Sequence, residues 1–354
     1  MRILFATDRA YTPQRFGGAE SSTHSLILEL RKRNHECFVV AGLISSGPLG
    51  ITNRIRRKVT GIAAPVDYSC GYPVARGWDY NRALHEALTR WKPDIAVVQP
   101  CGGDTMNVVA TIHNSGIPAV LHQRDVEFHS LGDMKQSTPA GVVACSNFVA
   151  REFAECYGIT PVTIHNIFHK ELYSCRRPGR HVTLINPIVK KGLNVTLQLA
   201  EANPHIPFLF VKSWHIPPSE EAALKTKTKQ LGNISWHRST RKMAKVYAQT
   251  RVLIAPSQWQ EAWGRIASEA HISGIPVLAS DIGGLPESVG PGGLLVEPQN
   301  MPAWHQALNH VWCDEQEWQK LSDRAYKYSL RSELDPNNIA YRYERYLRSI
   351  IKSA

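Results

Sequence analysis

Short apolar runs and longer amphipathic stretches alternate along the chain. The apolar runs are rich in Val, Ile and Leu: RILFA (2–6), CFVVAG (37–42), DIAVVQ (94–99), PAVLH (118–122), GVVACS (141–146) and VTIHN (162–166). Between them, 19–33, 79–91, 104–115 and 146–157 read as helices, the last entered through Ser146 as N-cap. Near-continuous apolar strands alternating with helices predict parallel sheets covered on both faces. The polar, basic stretch HKELYSCRRPGRH (169–181) breaks the rhythm and reads as a linker. A second series then follows: HVTLIN (181–186), IPFLFVK (206–212), NISWH (233–237), RVLIAP (251–256), IPVLAS (275–280) and GLLVE (293–297). Beyond about 300 the pattern is helical, and the segment 337–351 carries Tyr, Leu and Ile at helical spacing, which requires a surface to pack on.

Two α/β series of similar size predict two doubly wound domains, 1–172 and 173–332, with a C-terminal helix, 333–354, crossing back to the first. In such sheets ligands bind beyond the carboxyl ends of the strands, and a two-domain version places the site in the cleft between them.

Composition narrows the class. The 354 residues are 43% hydrophobic and 20% charged, as in a soluble globular protein. No apolar run approaches the roughly 18 residues of a membrane span. The start, MRILFATDRAY, reads as a first strand and not as a secretory signal. Seven scattered cysteines (37, 70, 101, 145, 156, 175 and 313) with no CxxC pair argue against a disulfide framework or a zinc site and favour a reducing, cytoplasmic setting. The net charge of +11 is shared: 18 Lys and Arg against 14 Asp and Glu in 1–170, and 23 against 16 in 171–354. That balance suits phosphates, anionic lipid or nucleic acid, but no nucleic-acid module is recognisable.

The chemistry concentrates in PSQWQEAWGRIASEA (256–270), where Glu261 and Glu269 stand eight apart around Gly264. On one continuous helix they would be about 12 Å apart along the axis and could not share a proton. A helix beginning near Gly264 instead leaves Glu261 in the preceding loop, with Glu269 about a turn and a half inside. The helix start suits a phosphate, and the carboxylates suit hydroxyl-rich groups on either side. A nucleotide sugar has that shape. By spacing alone, an equal reading makes Glu261 a first-turn acid and leaves Glu269 on a solvated face.

The run 256–298 resembles the donor-binding region of the retaining glycosyltransferases of family 4, which have the GT-B fold. It carries Glu-x7-Glu at Glu261 and Glu269, the strand GIPV and the loop GGLPE. Further likeness lies in ACSNFVAREFAECYGITPVTIHN and in FGGAE (16–20), so nearly the whole chain is covered, more specifically in its C-terminal part. The resemblance implies that Glu261 hydrogen-bonds the donor sugar and Glu269 the ribose, and that backbone N–H groups of Ala262, Trp263 and Gly264 face sugar and diphosphate. It puts Gly17 and Gly18 at the donor phosphate and the acceptor. A family histidine near 121–130 touches the donor sugar, which makes His122 the candidate here, with His113 and His129 competing. Base recognition falls around 234–239, including His237.

One departure stands out. The family commonly places an Arg, and five residues later a Lys before Gly, to grip the diphosphate. Lys191 before Gly192 matches the Lys, but Asn186 occupies the Arg position. Lys190 and Arg265 are the cations available to replace it, and Arg265, electrostatically odd at a helix start, is expected to face the diphosphate.

The basic run ITNRIRRKVTG (51–61) places Ile51, Ile55 and Val59 on one helical face beside Arg54, Arg56, Arg57 and Lys58. That suits a peripheral contact with an anionic membrane surface; a solvated loop is the other reading.

The resulting expectation is a retaining, metal-independent glycosyltransferase with no cofactor, moving a sugar from a UDP- or GDP-linked donor to a hydroxyl of an acceptor sugar, glycolipid or small molecule. The resemblance implies front-face attack, with the leaving phosphate taking the acceptor's proton, so no side-chain nucleophile is required. The competing readings are a non-catalytic GT-B scaffold, favoured by Asn186, and an epimerase of nucleotide sugars.

Overall fold

The structure, a computed structural model, describes residues 1–100, 102, 105–135, 137–175 and 179–353. The chain divides into two compact units, Met1–Ile167 with Asp335–Ala354, and Phe168–Leu334. Residues 176–178, the middle of the expected linker, and Cys101 lie outside the described residues.

The first unit is built on β1 (Arg2–Ala10), β2 (Glu36–Gly42), β3 (Val66–Asp67), β4 (Val74–Gly77), β5 (Ile95–Val98), β6 (Ala119–Gln123), β7 (Gly141–Ala144) and β8 (Val162–Thr163). They form one sheet in the order β3-β4-β2-β1-β5-β6-β7-β8, parallel except for the β3–β4 pair. Successive side chains of a strand point to opposite faces. Leu4 and Ala6 therefore join Val40, Ala96 and Val98 in one core, while Ile3 and Phe5 join Val39 and Val97 in the other. Burial on both faces is why these strands read as continuous apolar runs. The second core is closed by Ile339, Tyr343 and Leu347 of the helix Pro336–Ser353. Arg33 donates to Glu344 of that helix at 2.7 Å.

Strands β3 and β4 have no counterpart in the hydrophobic pattern. Strand β4 reads VARG, and its Arg76 is fully buried. The guanidinium pairs with Asp67 at 2.7 Å and donates to the carbonyls of Tyr11 and Thr12. A buried cation is tolerated when it is paired and hydrogen-bonded in this way, and here it ties the loop after β1 to the sheet edge.

The second unit holds β9 (His181–Ile185), β10 (Phe208–Val211), β11 (Ile234–His237), β12 (Thr250–Ala255), β13 (Val277–Ser280) and β14 (Gly293–Val296). All pairings are parallel, in the order β11-β10-β9-β12-β13-β14. This is the doubly wound order, in which the winding direction reverses between β9 and β12. Helices cover it with Val195, Leu199, Trp304, Leu308 and Trp318 against Leu184, Phe208, Phe210 and Ile254. Both units thus have a reversal point at which the loops leaving two adjacent strands diverge and a crevice opens: β9/β12 here, and β1/β5 in the first unit.

Candidate active site

In the second unit, the loop leaving β9 begins at Asn186, whose backbone is left-handed (φ 61°). Asn is one of the few residues that adopt this conformation readily. Its Oδ1 accepts from the backbone N–H of Ser213, at 3.1 Å, and of Trp214, at 2.8 Å. Its own N–H donates to Val211 O at 2.8 Å. Asn186 is 9% exposed and works as a local anchor for the loop leaving β10. The missing arginine is therefore a structural exchange as well as a lost charge.

The chain then passes through Lys190 and Lys191 into Gly192 (φ 82°), where a Cβ would collide with the carbonyl of Pro256 at the end of β12. Only glycine lets the two loops approach so closely. Lys191 is thereby delivered across the reversal point, where Nζ donates to Glu261 Oε1. The ammonium also lies 5.0 Å from the Trp214 ring and 5.1 Å from the Trp259 ring. Such a cation–π setting holds a lysine without neutralising it. Lys190 is exposed and lies 5.1 Å over the same Trp259 ring.

Glu261 Oε1 also accepts from Ser257 Oγ at 2.7 Å and Trp259 Nε1 at 3.3 Å. Its carbonyl accepts from the N–H of Gly284 at 2.6 Å. At Gly283 (φ 62°) a side chain would strike the Glu261 backbone. The two glycines of GGLPE thus let that loop lie directly on the Glu261 turn. The helix starts at Arg265, after Gly264 as N-cap, in agreement with the sequence reading. Trp263 is buried, with Nε1 donating to Ser268 Oγ at 3.0 Å, so its indole serves the core.

Arg265 and Glu269 form a buried pair one helical turn apart. Nη2 of Arg265 lies 3.3 Å from Glu269 Oε1 and donates to the Tyr173 hydroxyl at 3.1 Å. The guanidinium also covers the Phe168 ring at 4.6 Å. Glu269 Oε2 accepts from the Tyr247 hydroxyl at 2.9 Å. Burial pushes the Glu269 carboxyl up, opposed by Arg265 and by the Tyr247 hydrogen bond. The arginine that looked anomalous at a helix start is thus explained by Glu269: with a side chain 14% exposed, it compensates a carboxylate of its own helix. His237, at the end of edge strand β11, sets Nδ1 2.6 Å from Arg238 O.

In the first unit, Gly17 is the N-cap of the helix Gly18–Lys32 and provides no side-chain cap. His122 is only 3% exposed. Its Nδ1 lies 2.9 Å from the Tyr343 hydroxyl of the C-terminal helix, and burial, helped by the nearby Arg124, holds its pKa well below the usual histidine value. Within this unit His122 is a neutral interior histidine whose Nδ1 side joins β6 to the last helix. The chain turns outward just beyond it, where Arg124 and Asp125 line a pocket with Thr7, Arg9, Glu20 and Gln99.

The sequence reading passed over Trp214, Trp259, Ser257, Tyr247 and Tyr173. Trp259 lies within the motif itself and Trp214 directly follows a strand end, but which cation each would meet depends on how the two loops cross. Among the described residues, no group of three or more His, Cys, Asp or Glu is placed to hold a metal ion.

Comparison with known proteins agrees with this arrangement. Residues 16–170 match the family model of Glycosyltransferase Family 4, and residues 190–328 that of Glycosyl transferases group 1. A D-inositol 3-phosphate glycosyltransferase of Corynebacterium urealyticum is 33% identical over 96 residues, covering 27% of this chain and 22% of that protein. The match therefore spans about a fifth of this relative's length. Among solved structures, a glycosyltransferase from Rickettsia africae superposes with a TM-score of 0.78 at 16% identity, covering 100% of this chain and 99% of that one. Anabaena Alr3699/HepE, solved in complex with UDP, gives 0.76 at 18%, covering 99% and 100%. These structures establish the GT-B fold. With its two domain models in sequence on that fold, the chain belongs to the family 4 type of glycosyltransferase.

Proposed function

We propose that this protein transfers a sugar, with retention and without a metal, from a UDP- or GDP-linked donor to an acceptor hydroxyl. The observation that carries the reading is the crevice at the β9/β12 reversal. There Lys191, Glu261 and the backbone of Ala262–Gly264 converge, with Glu269 held behind them. In this reading Lys191 neutralises the leaving diphosphate, assisted by Lys190. Backbone N–H groups of 262–264 donate to sugar and phosphate oxygens, and Glu261 accepts from a sugar hydroxyl. Charge stabilisation and positioning supply the rate, and the departing phosphate oxygen takes the acceptor's proton.

The test is thermal unfolding with UDP, GDP, ADP, CMP and dTDP in chelator. A nucleotide at about 100 times its Kd stabilises the fold by roughly 2.7 kcal/mol. We expect a shift with UDP or GDP that is lost in Lys191→Met. No shift with any of the five would favour a non-catalytic scaffold.

We further infer that the protein meets an anionic membrane surface through the helix Gly47–Thr60. That helix exposes Ile51 (54%), Ile55 (58%) and Val59 (81%). It has no acidic residue and carries Arg54, Arg56, Arg57 and Lys58. Bare apolar side chains flanked by cations match an anionic bilayer interface. No helix among the described residues is long and apolar enough to cross a membrane. Cosedimentation with vesicles containing phosphatidylglycerol is expected for the native protein and not for Ile55→Glu/Val59→Glu. Equal pelleting of the two would remove the inference.

A further inference from the structure

Four tryptophans stand at or near the carboxyl ends of the second unit's strands, and three of them are engaged. Trp236 donates from Nε1 to Thr228 Oγ1 at 2.9 Å. Trp263 is buried and donates to Ser268. Trp259 donates to Glu261 and lies under both Lys190 and Lys191. Trp214 is different. It is 42% exposed, and its indole N–H meets no acceptor among the described residues. Its backbone is nevertheless pinned, since its N–H donates to Asn186 Oδ1 at 2.8 Å. An exposed ring held in place beside the charged centre of the site is preorganised for a flat ligand group.

Strand β10 lies between β9 and β11, so Trp214 stands between the loop that carries Lys191 and the loop that follows His237. The latter, 238–242, reads RSTRK: it offers donors and hydroxyls to the edge of a base but no aromatic face. Trp214 supplies that face. The Lys191 ammonium lies over the indole, 5.0 Å from its centre, and the exposure leaves ring surface for a second group. A base in offset contact has its centre about 4.5–7 Å from the ring it stacks on. A phosphate oxygen on the ammonium lies about 2.8 Å from Nζ. Both contacts fit one nucleoside diphosphate, with its ribose spanning the gap. We propose that the base of the donor nucleotide stacks on Trp214 while the diphosphate sits on Lys191. This rests on the nucleotide-sugar reading and goes past it, because the ring lies outside the stretches that resemble the family. It also gives the Asn186 exchange a purpose: a phosphate-binding cation is replaced by the anchor of a base-binding ring. Every base has a π-face, so the stack sets affinity and leaves the choice of base to groups at its edge.

The experiment is calorimetric titration of the full chain with UDP or GDP, whichever stabilises it, and separately with pyrophosphate, which carries the charge and no base. Trp214→Ala is expected to weaken the nucleotide at least about tenfold, as befits one base–aromatic stack, and to leave pyrophosphate unchanged. Trp214→Phe should recover most of the loss, and Lys191→Met should weaken both ligands. Indole fluorescence is the second readout. The nucleotide should quench part of the native emission, and the quench should shrink in Trp214→Phe although the nucleotide still binds; it decides the matter where pyrophosphate binds too weakly to titrate. Equal losses for nucleotide and pyrophosphate in Trp214→Ala would mean that the ring acts only through Lys191, and would overturn the proposal. So would a nucleotide that binds Trp214→Ala as tightly as the native chain. Either result leaves the donor reading standing, whereas a native chain that binds no nucleotide removes both.

Discussion

Restoring the family's arginine at position 186 should damage this protein. The side chain of Asn186 accepts from two backbone N–H groups, Ser213 and Trp214, from a left-handed backbone. Asn186→Arg removes both acceptors. Each such hydrogen bond contributes about 0.5–1.5 kcal/mol net. A left-handed conformation costs an ordinary L-residue roughly 1–2 kcal/mol, a cost that asparagine partly escapes through its local hydrogen bonds. The expected destabilisation is therefore about 2–4 kcal/mol, or roughly 5–15 °C in Tm for a unit of this size. Asn186→Gly separates the two contributions, because glycine keeps the backbone conformation and loses only the hydrogen bonds; it should cost about 1–3 kcal/mol. The second consequence concerns the ligand. Trp214 covers the Lys191 ammonium, so releasing its loop should weaken nucleoside diphosphate binding even though a cation has been added. Urea unfolding and calorimetry on the three proteins are the assays. An arginine variant as stable as the native chain, binding the diphosphate more tightly, would refute the argument and reduce Asn186 to a missing charge.

Arg265→Ala leaves the Glu269 carboxylate buried without its cation, and should destabilise by about 3–5 kcal/mol in urea titration; Arg265→Lys should restore part of this. Lys190→Ala, at an exposed position, should change stability by no more than about 0.5 kcal/mol. Glu261→Gln removes the anion that engages Lys191, so nucleoside diphosphate should bind more tightly while sugar transfer falls, a split readable by calorimetry and a turnover assay. His271 is fully buried, and burial, with Arg331 nearby, lowers its pKa to about 3. The unfolded chain takes up a proton at this residue as pH falls through about 6.5, whereas the folded chain resists until about 3. Its stabilisation is therefore full above about pH 7 and should decline by about 2 kcal/mol by pH 5. Urea midpoints at pH 8, 6.5 and 5 check the slope, which should flatten in His271→Asn.

Much of this was legible in the residue order. Twelve apolar runs mark twelve of the strands because both faces of each sheet are covered, which leaves no polar alternation to disguise them. The helix boundary at Gly264 and the cap at Ser146 followed from local chemistry, which acts over a few residues and therefore shows in a few residues. Strands β3 and β4 escaped because Arg76 breaks the apolar signal, and what makes a buried arginine acceptable is Asp67 on the neighbouring strand and two carbonyls some sixty-five residues away. The site divides in the same way. The positions of Glu261, Glu269 and Lys191 were readable as spacing, but what each side chain does was not. Whether Arg265 faces a ligand or its own glutamate, whether His122 points into a pocket or at Tyr343, and whether Asn186 is a lost charge or a loop anchor all depend on partners remote in sequence. Charge and hydrogen bonding act through space over a few ångströms, and only the tertiary fold decides which residues come within that distance.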